Sequence, residues 1–83
     1  MTIEELRAGL AATLALEDRP EADWKQVESQ CRAMIARLNT EPEPCYPHDI
    51  VYHFLEDADA RQKSPRYAAG QRERLRQWLS AAE

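Results

Sequence analysis

The chain has 83 residues, of which 15 are acidic and 11 are basic, so its formal net charge is −4. This length predicts a single domain over residues 1–83 and leaves little room for a nucleotide-binding βαβ unit or a large catalytic cleft. No run of about 18 apolar residues occurs, which excludes a membrane-spanning helix. Residues 1–5 lack both the basic and the apolar region of a secretory signal, so we expect a cytoplasmic protein.

The composition favours helices, because the chain has only two glycines and many alanine, leucine, glutamate, arginine and glutamine residues. Apolar residues recur at helical spacing in four segments, which are residues 3–16, 20–38, 47–61 and 65–82. The segment 39–46 contains Pro42 and Pro44 and is predicted to be a loop. The sequence therefore predicts an all-α fold, a compact four-helix bundle-like domain.

Helix starts are marked by capping residues and prolines. Thr2 and Glu5 form a capping box for the first helix. Pro20 fits the first turn of the second helix, and Asp23 offers a rival start. Ser64 is a typical cap for the last helix. The predicted core consists of Leu6, Leu10, Leu14, Trp24, Val27, Cys31, Ile35, Leu38, Phe54, Leu55, Leu75 and Trp78.

Charge is divided unevenly along the chain. Residues 1–60 contain 13 acidic and 5 basic residues, whereas residues 61–82 contain one acidic and 6 basic residues. The third predicted helix is acidic and the fourth is basic, which favours a non-enzymatic protein–protein interaction or regulatory module. We expect its partner to be another protein or a second copy of the chain. The predicted partner-binding residues are Tyr52, His53, Glu56, Asp59, Arg66, Arg72 and Arg76.

The first alternative is a nucleic-acid-binding module that uses the arginine-rich segment 61–76. The third and fourth predicted helices resemble a helix-turn-helix in spacing. Two features weigh against this alternative. The arginines are distributed over several faces of an ideal helix, and the acidic third helix would repel phosphates.

The second alternative is a small metal-binding protein. Its ligands would be Cys45 and His48, or Asp49, His53 and Asp57, which follow one another at intervals of four residues. An ideal helix separates residues five apart by about 140°, so it turns His48 away from His53. None of these spacings matches a zinc signature. The leading interpretation therefore assigns no metal ligand and no cofactor.

No catalytic motif is present in the sequence, so we expect no enzymatic activity. Cys31 lies within an apolar stripe, where a small core residue is the simpler interpretation. Cys45 lies near His48 in sequence, but no third residue is evident that would orient such a pair. Whether Cys31 and Cys45 form a disulfide is left open.

Overall fold

The computed structural model describes residues 1–41 and 45–81, and within these ranges the chain is helical with no strands. The helices are α1 (Ile3–Glu17), α2 (Trp24–Thr40), α3 (His48–Glu56), α4 (Ala58–Lys63) and α5 (Pro65–Ala81). The all-α prediction is confirmed. The described residues form five helices instead of four, because the third predicted helix is divided into two. None of these helices is long and apolar enough to cross a membrane.

α1 begins at the predicted capping box. The Glu5 amide donates to the Thr2 hydroxyl oxygen at 3.1 Å, and the Thr2 amide donates to the Glu5 carboxylate at 3.0 Å. These bonds pair amide donors that otherwise have no partner in the first turn of a helix. The helix ends one residue later than predicted, at Glu17, and buries Leu6, Leu10 and Leu14.

α2 begins at Trp24, so the prediction of a start near residue 20 was wrong. Asp23 is the cap, and its carboxylate accepts from the Gln26 amide at 3.2 Å. A side-chain cap satisfies a free amide, which the proline at position 20 cannot do. α2 continues to Thr40, so residues 39 and 40 of the predicted loop are helical. Residues 42–44, with both prolines of that loop, lie outside the described residues.

The predicted helix over residues 47–61 is interrupted at Asp57, whose φ and ψ are −98° and 19°. No proline or glycine stands at this point. Instead, the Asp57 carboxylate accepts from the Tyr67 hydroxyl at 2.6 Å and from the Gln71 amide at 2.9 Å, both on α5. These two contacts tie the residue at the break to α5, and Arg61 of α4 is buried at 1% exposure.

The core lies where α1, α2, α3 and α5 meet. Nine of the twelve predicted core residues are buried, while Trp24, Ile35 and Trp78 pack partly exposed around the others. Val51, Met34, Ala58 and Ala68 are buried as well. α1 and α2 approach closely at Gly9, where an added Cβ would lie 2.8 Å from the Met34 sulfur.

Candidate functional site

A surface groove of about 500 Å³ separates α3 from α5. It therefore lies between the acidic and the basic helix that the charge pattern singled out. Gly70 forms part of its floor, and an added Cβ there would meet nothing within 4 Å. The groove is lined by Asp49, His53, Arg66, Tyr67, Gly70, Gln71, Glu73 and Arg74.

Tyr67 is the one large hydrophobic side chain of the described residues that is exposed, at 46%. Its hydroxyl donates to Asp57, which is also bonded to Gln71. Because the hydroxyl donates a hydrogen bond to the Asp57 carboxylate, which favours the protonated phenol, the pKa of Tyr67 is raised. The hydroxyl end of the ring is thus held by Asp57, and the side chain lines the groove.

The four arginines of α5 fall into two pairs. Arg72 lies 3.0 Å from the Glu17 carboxylate, and Arg76 lies 2.5 Å from Asp18, so both neutralise the end of α1. Arg66 and Arg74 are exposed and form no ion pair within residues 1–41 and 45–81. Both of these line the same groove.

A buried ion pair lies behind the groove. The Arg61 and Glu17 side chains are both 0% exposed, and the Arg61 Nη2 atom lies 2.9 Å from a Glu17 oxygen. Arg61 also donates to the Phe54 carbonyl and, at 2.9 Å, to the Gln71 side-chain oxygen. Its guanidinium lies 3.7 Å from the Phe54 ring centre. Within the described part of the chain, no buried side-chain polar atom lacks a hydrogen bond.

Sequence reasoning placed Arg61 in a basic surface segment and missed this pair. A signal was present, because Arg61 follows Phe54 and Ala58 at helical spacing and so continues an apolar stripe. Glu17 continues the stripe of Leu10 and Leu14 in the same manner. Two opposite charges at core-facing positions of different helices indicate a buried pair, since an unpaired buried charge is too costly to retain.

The structure does not bring the seven predicted partner-binding residues together. His53 and Arg66 line the α3–α5 groove. Glu56 and Asp59 line a different groove of about 320 Å³, formed with residues of α2. Arg72 and Arg76 are paired with α1 as described above. Tyr52 is half-buried and donates its hydroxyl to the Asn39 side chain at 3.3 Å.

The structure combines residues from the two predicted metal-ligand sets and leaves out others. Ligand atoms of His48, Asp49 and His53 all lie within 4.8 Å of one another. The expectation that His48 points away from His53 was wrong, because their ring centres are 5.5 Å apart. His48 begins α3, and its ring stacks on Tyr52 one turn later at 4.7 Å. Asp57 is instead engaged by α5.

The two cysteines are both free, so no disulfide joins Cys31 and Cys45. Cys31 is 1% exposed, and burial raises the pKa of its thiol. Cys45 is exposed, and it does not belong to the candidate ligand group found among the described residues. Burial therefore disfavours the nucleophilic thiolate form of Cys31.

No protein-family model, curated protein or solved structure matches this chain. Its own surface, and the α3–α5 groove above all, is the basis for inferring what it does.

Proposed function

We propose that this chain is a non-enzymatic protein-interaction module that binds a segment of a partner protein in the α3–α5 groove. The single observation that carries the proposal is the distribution of the α5 arginines. The two arginines facing α1 are neutralised within the chain, and the two facing the groove, Arg66 and Arg74, are left without ion-pair partners in the described ranges.

The groove has the chemistry of a recognition surface. Arginine and tyrosine are the residue types that most often dominate the energetics of protein interfaces. Tyr67 is held by Asp57, so little side-chain freedom is lost when a partner packs on it. Gly70 leaves open space beside that ring, where an apolar side chain of a partner fits.

Both charge signs occur along the groove. Acidic residues of a partner would face Arg66 and Arg74, while a basic residue would face Asp49 or Glu73. This pattern sets the register of the bound segment and speeds its association more than it adds affinity. Binding should therefore weaken as salt rises, because exposed charges are screened.

The sharpest test fills the groove without changing the fold. Gly70→Trp places an indole in the open space, and Ala69→Trp places the same indole on the neighbouring exposed position, which does not line the groove. Both variants and the unchanged chain are used as bait at low salt, and retained proteins are quantified. We expect a specific protein to be retained by the unchanged chain and by Ala69→Trp, and to be lost with Gly70→Trp.

A second pair of variants tests the charges. Replacing Arg66 and Arg74 together by alanine should weaken binding of the purified partner at least about tenfold, which corresponds to about 1.4 kcal/mol. Arg32→Ala is the control, because that side chain is 80% exposed on α2. Identical retention by all variants would refute the assignment of the groove. If the retained partner is a second copy, sedimentation will show a dimer that Gly70→Trp abolishes.

The nucleic-acid alternative has less support. Arg61 is buried, and Arg72 and Arg76 are paired with Glu17 and Asp18. Lys63 is paired with Asp59 in the same way, so four of the six cationic side chains of segment 61–76 are paired within the described part of the chain. Strong binding to a phosphate backbone rests on many cationic contacts, and Arg66 and Arg74 supply only two.

A further inference from the structure

We propose that His48, Asp49 and His53 form a binding site for one divalent transition-metal ion, with Zn²⁺ as the ion that the ligand set fits. The three side chains are exposed, and each offers one ligand atom within 4.8 Å of the other two. The chain contains two histidines, and the fold brings both into this cluster. Asp49 and His53 also line the α3–α5 groove, but the metal site is argued from the ligand atoms of the cluster and does not rest on the proposed function.

The ligand types favour a borderline metal. Two imidazoles and one carboxylate suit Zn²⁺, whereas Mg²⁺ and Ca²⁺ prefer ligand sets made of oxygen atoms. Ligand atoms at about 2.0–2.1 Å from a tetrahedral ion lie roughly 3.3 Å from one another. The ligand atoms lie within 4.8 Å of one another, so side-chain rotations must bring them closer when an ion binds.

The fold also orients the first ligand. The His48 ring lies nearly parallel to the Tyr52 ring, with 11° between their planes. The Tyr52 hydroxyl is in turn bonded to Asn39 at the end of α2. Tyr52 is therefore a positioning residue that keeps the His48 ring beside His53. Outer contacts of this kind fix the direction in which a ligating imidazole points.

The helix dipole opposes a cation at this place, because the cluster occupies the first turns of α3. Asp49 is the acidic residue of that turn and compensates for the positive end of the dipole. The dipole effect is small and is screened by salt. Three direct ligand bonds to a metal contribute much more free energy than the dipole opposes. Three protein ligands leave a tetrahedral ion with one position for water or for an outside group.

The test is a titration of the full chain with Zn²⁺, followed by calorimetry and by the imidazole ¹⁵N signals of the two histidines. We expect one ion per chain, with both histidines shifted at saturation and restored by a chelator. His48→Ala and His53→Ala should each weaken binding at least tenfold, and Asp49→Asn should weaken it less. Asp59→Asn is the matched control, since it removes an exposed carboxylate of α4 that is paired with Lys63.

Two results would overturn the site. One is the absence of saturable binding of Zn²⁺ by the unchanged chain. The other is binding that survives His53→Ala, or that is lost in Cys45→Ser, because it would place the ion on a different ligand set. Circular dichroism checks that each variant is folded. We expect every variant to fold, because the replaced side chains are exposed and contribute little to the core.

Discussion

The Glu17–Arg61 pair is the side-chain contact on which the described core depends most. It joins the end of α1 to α4, and Arg61 bonds the Phe54 carbonyl and Gln71 from the same position. A buried pair of this kind adds little net stability compared with apolar residues, but the loss of one partner leaves a charge unpaired in the interior. Through these contacts Arg61 connects α4 with α1, α3 and α5.

Glu17→Gln should destabilise the protein by about 3–5 kcal/mol, because Arg61 would then be a buried cation without a carboxylate. That is a large part of a total stability of about 4–12 kcal/mol for a chain of this length. Urea unfolding at pH 7 measures the loss. Asp18→Asn is the control: its pair with Arg76 is half-exposed, so the cost should stay below about 1 kcal/mol. Equal costs for the two variants would contradict this role.

The two thiols should react at very different rates. Cys45 is exposed and should be alkylated at once by iodoacetamide at pH 8. Cys31 is buried and its pKa is raised, so it should react only when the chain unfolds. Mass spectrometry of Cys31→Ser and Cys45→Ser separates the two reactions. Rapid labelling of Cys31 in the folded Cys45→Ser variant would show that the α2 core opens readily.

Among the helices, the two glycines should respond in different ways to alanine. Gly70→Ala places a methyl group in open space on α5 and should stabilise the protein by about 0.5–1 kcal/mol, because glycine is the poorer helix former. Gly9→Ala brings a Cβ within 2.8 Å of the Met34 sulfur, so the Met34 side chain or the two helices must shift apart at the contact of α1 with α2. Thermal unfolding should show a smaller gain or a loss for Gly9→Ala. A larger gain at Gly9 would mean that α1 and α2 do not approach closely there.

The contact between the start of α1 and the end of α2 should weaken in acid. The pKa of Glu41 is lowered by the N-terminal amine and Arg37, and the pKa of Glu5 is lowered by Thr2 and Arg37. A carboxyl group with a lowered pKa in the folded state binds fewer protons there than in the unfolded chain, so its stabilising effect is lost as pH falls. Urea midpoints measured downward from about pH 5 should fall.

The matched variant for that acid effect carries Glu5→Gln and Glu41→Gln together. We expect its urea midpoint to depend less on pH over the same range than that of the unchanged chain. Glu56→Gln replaces an exposed carboxylate of α3 and serves as the control. An unchanged slope in the double variant would show that these two groups do not stabilise the helix ends.

Helical periodicity and capping residues predicted most of the fold. The starts of α1 and α5 followed from Thr2, Glu5 and Ser64, which act locally. The break at Asp57 could not be predicted, because it depends on Tyr67 and Gln71 reaching it from another helix. For α2 the sequence offered two starts, at Pro20 and at Asp23. The structure has the second, where the Asp23 side chain caps the helix.

The candidate groove was predicted only in part. The charge pattern drew attention to α3 and α5, whose residues line this groove, and two of the predicted partner-binding residues, His53 and Arg66, lie there. It could not separate Arg66 and Arg74 from Arg72 and Arg76, since that difference depends on Glu17 and Asp18 lying against α5. The short distance between the His48 and His53 rings likewise could not be predicted. A helical wheel gives the position of each residue around the helix but not the direction in which its side chain points.

In the protein as a whole, the α3–α5 groove combines Tyr67 with two arginines that have no ion-pair partner among residues 1–41 and 45–81. Site-specific photo-crosslinking tests directly whether a partner binds there. A benzophenone amino acid is placed at position 70, inside the groove, or at position 69, on the neighbouring exposed face of α5. We expect a protein adduct from position 70 that is absent from position 69 and that fades as salt rises. Adducts of the same kind from both positions, or none from position 70, would contradict it.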